Sequence, residues 1–430
     1  MNNKVLGFVS LYALRSVLFV LRLSVLCGSV SAAADTSVRY IDFDSGKDSN
    51  PGTRDAPWKH HPWDTSAAEK SASAREIGTY VFRKGVTYRG TLEAGESGTE
   101  DTPIRLTTEA GWGSGPAVLS GSTAYTDGRS RCWENVTSLL PRESGNKVWC
   151  RPVDLPDEPR LLWEVNDAVV TRIPIARTPN WTSVNPDDPR SEWFELDDVI
   201  VELAVQLDSG SDFKVGETLS LVSRRSGSGP RPLLTVVAVK ADSIQLEVTN
   251  WKKGLLQAGD SLTNGRSIPK IRKIGGTHSI IRHLVDRTNL AAVDVSTYTG
   301  ATVWAERRSM PKPDAAIVAA FNPERRSLQA NFHRSAESGP MPHDRYFMEG
   351  LPSFLDSAGE YVFLPSGKRS GMLVVRLPGD RDPNDSIIEA ATRTVVLKIQ
   401  NQSHIEISGL GFHYVNQIPP GDARSRHASM

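Results

Sequence analysis

The stretch Gly78-Thr-Tyr-Val-Phe-Arg-Lys-Gly-Val-Thr-Tyr-Arg-Gly90 places two short runs of strand formers, Tyr80-Val-Phe82 and Val86-Thr-Tyr-Arg89, on either side of a Lys-Gly turn. Aromatic and β-branched residues bounded by glycine read as strands. Pro103-Ile-Arg-Leu-Thr107 and Ala117-Val-Leu-Ser120 continue the series at intervals of roughly 6 to 17 residues, the spacing of short strands stacked as successive rungs. Upstream, Val38-Arg-Tyr-Ile-Asp-Phe43 alternates as a strand does, and Asp44 to Thr53 is dense in turn formers. Asp64 to Arg75 predicts a helix, with Ser66 and Glu69 in capping-box relation.

The same rhythm returns near the end. Thr394-Val-Val-Leu-Lys-Ile399 and His404-Ile-Glu-Ile-Ser-Gly-Leu410 lie about one rung apart, with Gly409 and Gly411 at an expected corner. Between Ser122 and Leu290 it is lost. There Phe213 to Val222, Leu233 to Val239 and Ser243 to Val248 predict strands of a small β-barrel or sandwich. The expected division is therefore a signal over 1–34, a cap and first rungs over 35–122, and an inserted β-rich region over 123–290 with the barrel or sandwich near 185–275. Rungs resume over 291–416, and a polar tail occupies 417–430.

Composition narrows the function. Lys plus Arg and Asp plus Glu number 50 each, so the long-range field that draws proteins to nucleic acid or to acidic membranes is missing. Gly and Pro, 34 and 27 of 430 residues, favour strands and turns over a helical bundle. The expected class is mainly β. Residues 1–34 combine Lys4, apolar runs interrupted by Arg15 and Arg22, and a small-residue stretch ending at Ala34, which reads as an export signal with a secreted or periplasmic destination. A membrane anchor is the other reading, but the two arginines leave no apolar run near the 18 to 20 residues that a span needs, and no span is expected in the mature chain. After removal of Cys27, Cys132 and Cys150 remain at a spacing suited to a disulfide, with two buried thiols as the alternative.

Longer stretches carry a resemblance. Tyr40 to Trp58, Gly78 to Gly90, Ser97-Gly-Thr-Glu-Asp-Thr-Pro-Ile-Arg-Leu106 and Val118-Leu-Ser-Gly-Ser122 resemble the opening of secreted right-handed parallel β-helix proteins of the pectin lyase-like superfamily. Arg345 to Tyr361, Leu373 to Asn384 and Ser403 to Phe412 look like segments leading into the main helix of large bacterial members. The resemblance implies a right-handed parallel β-helix with an inserted small β domain, and polysaccharide as partner. Members include polysaccharide lyases and glycoside hydrolases alongside relatives without activity, so fold alone does not assign function. A further coil takes roughly 20 to 25 residues in such repeats. Only 18 residues follow Phe412, so the catalytic coils of the resembled enzymes are expected beyond this chain. A non-catalytic carbohydrate-binding or cell-surface module is the alternative.

Candidate chemistry is sparse. His404, Glu406 and His413 on the terminal rungs are the nearest groups to an acid, base or ligand set, and a solvated rung face is the competing reading. No cofactor is required. Asp42, Asp44, Asp48 and Asn50 have a spacing reminiscent of calcium loops, although Gly46 replaces a ligand and Thr53 stands where the bidentate glutamate would be. His60-His61-Pro-Trp-Asp64 reads as a packed loop rather than a metal site. Trp163, Trp181 and Trp193, near acids or arginines, could form a sugar-stacking surface or pack internally.

Overall fold

The computed structural model describes residues 38–416 except 126–132, 137–146, 156–157, 167–168, 182–187, 189, 223–231, 252–254, 276–280, 308–309, 333–338 and 368–369. The protein is mainly β, and its strands pair in two distinct ways.

At the N-terminal end every strand ladder is parallel, with one isolated antiparallel bridge from Asp64 to Leu92. Val38–Ile41, Thr79–Lys84, Ile104–Gly113 and Ile405–Ile407 form one ladder, Thr87–Arg89, Ala117–Ser120 and Leu410–His413 a second, and Leu92–Glu93 with Leu397–Lys398 a third. Alternation supplies the interior. Ile41, Tyr80, Phe82, Tyr88, Leu92, Ile104, Leu106, Leu119 and Val396 share one buried cluster, joined by the half-buried Ile405 and Leu410. The corner between the last two strands is Gly409, whose φ of +72° belongs to the region where a Cβ is strained, and an added Cβ would stand 2.4 Å from the Thr108 hydroxyl. Across the ladder, Arg105 Nε donates to Glu406 at 2.8 Å and the Thr107 and Ser408 hydroxyls lie 2.9 Å apart.

The predicted helix over 64–75 is a single turn, Glu69–Ser73. Ser66 does not cap it. The Ser66 amide instead bonds Asp64, and Asp48 takes the Ala68 amide, so a side chain from the preceding loop displaces the local capping box.

The chain leaves the parallel unit at Gly121 and returns at Thr392, whose amide donates to the Gly121 carbonyl at 2.9 Å. Among the described residues every strand ladder between them is antiparallel, and one isolated bridge, Ile175 to Tyr361, is parallel. This corrects the expected return of rungs at 291. Thr302–Arg307 and Met310–Asn322 form a hairpin, Arg345–Glu349 pairs with the first of them, and Glu360–Pro365 with Gly371–Arg376 forms another. Among the described residues parallel ladders resume at Leu397.

Within the insert, Asp198–Leu207 divides its length. Its first residues pair with Ile281–Val285 of the large sheet, and its last pair with Ile271–Gly275. From its other edge the order runs through Ser243–Val248, Leu234–Val239, Thr218–Val222 and Ser261–Thr263, and the bridge Ser261 to Lys270 closes a ring. Val201, Leu203, Val205, Leu219, Leu234, Val236, Leu246, Val248 and Leu262 fill its interior. The ring thus shares a strand with the main sheet, which anchors it without a separate linker.

Asn416, just after the strand Leu410–His413, ties the parallel ladders to the antiparallel region: its Oδ1 accepts from the Arg160 amide at 2.8 Å and its Nδ2 donates to the Glu158 carbonyl at 3.0 Å. Arg89 of the rungs reaches Glu389 of the insert, which also accepts from Ser122. Cys150 is a buried thiol, and burial pushes its pKa up. Its expected disulfide partner Cys132, the export signal over 1–34 and the tail over 417–430 lie outside the described residues. Among the described residues no helix is long and apolar enough to cross a membrane.

Candidate aromatic and carboxylate site

In Arg345–Glu349 the fully buried Tyr346 and Met348 point to one face and the pleat turns Arg345, Phe347 and Glu349 to the other, where Phe347 and Glu349 are also largely covered. The neighbouring strand sets Trp304 directly opposite Phe347, and their rings stack at 6.2 Å with 9° between planes. On the far side, Arg177 pairs in register with Glu349 and lays its guanidinium 4.0 Å from the Phe347 centroid and 5.5 Å from that of Trp181. Trp193 meets Phe347 edge-on at 4.7 Å, and Arg160 lies 5.7 Å from the Trp304 ring. The result is a row, Trp181, Arg177, Phe347, Trp304, Arg160, in which each cation faces a ring quadrupole and Phe347 stacks on Trp304. Trp181 ends the row with 47% of its surface exposed.

Carboxyls border the row. Trp304 Nε1 donates to Glu349 at 2.7 Å, and Arg160 bridges Glu349 to Glu158. Asn180, beside the exposed tryptophan, donates to Asp356 at 2.8 Å and to the Ser357 hydroxyl at 2.6 Å. Four residues on, Glu360 is buried and receives the amides of Arg177 and Ser357. Burial, reinforced by the Asp356 charge, pushes the Glu360 pKa up to about 8 against those amides and the Arg177 charge. A carboxyl in that state is a hydrogen-bond donor at neutral pH, while the exposed Asp356 is an acceptor. Stacking surface, a donor acid and an acceptor carboxylate are the elements that recognise a polyhydroxylated ligand.

The residues expected from sequence are arranged otherwise. Glu406 is exposed and paired with Arg105, while His404 precedes the strand Ile405–Ile407 with a φ of +54° and His413 ends the strand Leu410–His413, against the Tyr414 ring at 5.5 Å. The three share no hydrogen bond among those found for them. In the Asp42 to Asn50 loop, Asp42 receives the Asp44 and Ser45 amides, the Ser45 hydroxyl and Arg83. Burial pushes the Asp42 pKa up, but these hydrogen bonds outweigh it and hold the carboxyl below its usual range. Asp48 receives the His60 and Ala68 amides, and Asn50 donates to the Pro57 carbonyl at 2.9 Å. The Asp42 and Asp48 carboxylates thus hold the surrounding backbone, and among the described residues Asp42, Asp44 and Asp48 do not fall in a cluster of converging acidic and histidine ligand atoms.

Of the three tryptophans singled out, Trp181 and Trp193 belong to the aromatic face, whereas Trp163 is buried against Tyr414 at 4.2 Å. Sequence alone gave no signal for Arg177, Phe347 or Glu360. Their relation exists only through strand register.

No family model matches the chain, and no curated protein matches it. Among solved structures, one described as a glycoside hydrolase aligns with 88% of this chain and 51% of its own length, at 14% identity and a TM-score of 0.45. A complex of XylC with xylose aligns with 88% of this chain and 35% of its own, at 12% identity and a TM-score of 0.31. The chain thus spans about half the length of the first and about a third of the second.

Proposed function

We propose that this is an exported polysaccharide-binding protein that presents the Trp181 face to sugar, built on the first rungs of a right-handed parallel β-helix interrupted by a β-rich insert. Three aligned parallel ladders around one core support the solenoid reading. The observation that carries the function is the row from Trp181 to Arg160, ending in an exposed ring beside Asn180, Asp356 and Glu360. The pectin lyase-like resemblance makes uronate polysaccharides the first substrates to try. Catalysis by this chain is the second reading, favoured by the raised acid Glu360 near the Asp356 carboxylate.

Binding is tested by affinity electrophoresis against uronate and neutral polysaccharides. Trp181→Ala is expected to weaken retardation at least tenfold, equivalent to about 1.4 kcal/mol, because a half-exposed ring is lost without opening the core. Retention unchanged by Trp181→Ala would remove this face from the proposal. Release of unsaturated or reducing ends, abolished by Glu360→Gln, would establish the catalytic reading instead.

A further inference from the structure

On the outer face of the insert, three side chains distant in sequence converge. Odd positions of Asp198–Leu207 are buried, so Glu202 points outward, directly opposite Glu247 of Ser243–Val248. His283 lies on the adjoining strand between the buried Arg282 and Leu284, and its Nε2 is 2.7 Å from Glu202 Oε1. One ligand atom from each of Glu202, Glu247 and His283 falls within 4.8 Å of the others. All three are only partly exposed.

Like charges directly opposite in a sheet repel and destabilise the pair. Here the repulsion is met by His283 on one side and on the other by Arg325, whose Nη1 reaches both Glu247 oxygens at 3.1 and 3.0 Å. Arg325 is half exposed on the turn after Asn322. We infer that Glu202, Glu247 and His283 form a binding site for a divalent ion of the zinc type. Imidazole nitrogen with two carboxylate oxygens is a donor set that suits zinc, and three protein ligands leave a fourth position for water or substrate. Their placement on three adjacent, paired strands fixes the donors on rigid backbone. Arg325 then acts as a resident cation that the metal must displace from Glu247.

The test is titration of the chelator-stripped full chain with zinc chloride, followed by calorimetry and thermal unfolding. One equivalent should bind and raise the midpoint, and Glu247→Gln and His283→Gln should each weaken binding at least tenfold. Arg325→Ala should bind zinc more tightly than wild type, a gain that a purely structural ion-pair cluster would not give. Absence of saturable binding, or equal binding by wild type and His283→Gln, overturns the site. Polysaccharide retention by His283→Gln is expected to be unchanged, which separates this outcome from that of the Trp181 face.

Discussion

Arg160→Ala should cost on the order of 3 to 5 kcal/mol, the usual penalty for removing one partner of a buried ion pair. The Arg160 side chain is 10% exposed and lies between Glu158 and Glu349, whose side chains are 23% and 9% exposed. Burial already pushes the Glu158 carboxyl up against the pull of Arg160, and Glu349 repels it. Without the guanidinium both carboxylates must find water or protons, and Trp304 loses the cation over its ring. Urea unfolding at pH 7 measures the loss. The companion variant Glu158→Gln, Arg160→Met, Glu349→Gln should recover most of it, because no uncompensated charge remains. A single-variant loss below about 1 kcal/mol would mean that the cluster is solvated.

The parallel rungs were legible because their information is local. In Tyr80 and Phe82, Ile104 and Leu106, and Leu410 with Gly409, period-two burial and a glycine corner are written within a dozen residues. The direction of pairing is not local. Thr302–Arg307 alternates identically whether its neighbour runs parallel or antiparallel, and the contact of Arg89 with Glu389 spans 300 residues. Alternation alone therefore predicts rungs from 291, whereas parallel ladders resume at Leu397. Sites follow the same division. Trp181 and Trp193 could be suspected from side-chain type, whereas Arg177, Phe347 and Glu360 acquire meaning only through the register of three strands. Glu202, Glu247 and His283 have no motif spacing. In the acidic loop with suggestive spacing, the Asp42 carboxylate accepts from the Asp44 and Ser45 amides and from Arg83, a use that the spacing does not reveal.

Acidification should unfold the parallel unit through His61. This imidazole is 2% exposed, packed 4.0 Å from the Tyr80 ring, 4.8 Å from Trp63 and 5.7 Å from Phe82, with Nδ1 accepting the Trp63 amide. Desolvation lowers its pKa from 6.5 to about 3. Between those values the unfolded chain binds a proton that the folded chain refuses, so stability rises with pH across the window and is lost as pH falls below about 6.5. Each pH unit removes up to about 1.4 kcal/mol, or on the order of 3 kcal/mol by pH 4. Glu360 works in the opposite sense: its raised pKa withdraws stability as pH rises from the ordinary carboxylate value toward 8. The readout is therefore the difference between wild type and His61→Phe. That variant keeps the aromatic packing, gives up the acceptor for the Trp63 amide at about 1 kcal/mol near neutrality, and should become the more stable protein below about pH 5. Parallel curves for the two proteins from pH 7 to pH 4 would show that the imidazole accepts its proton in place, and the acid response would then belong to the carboxylates.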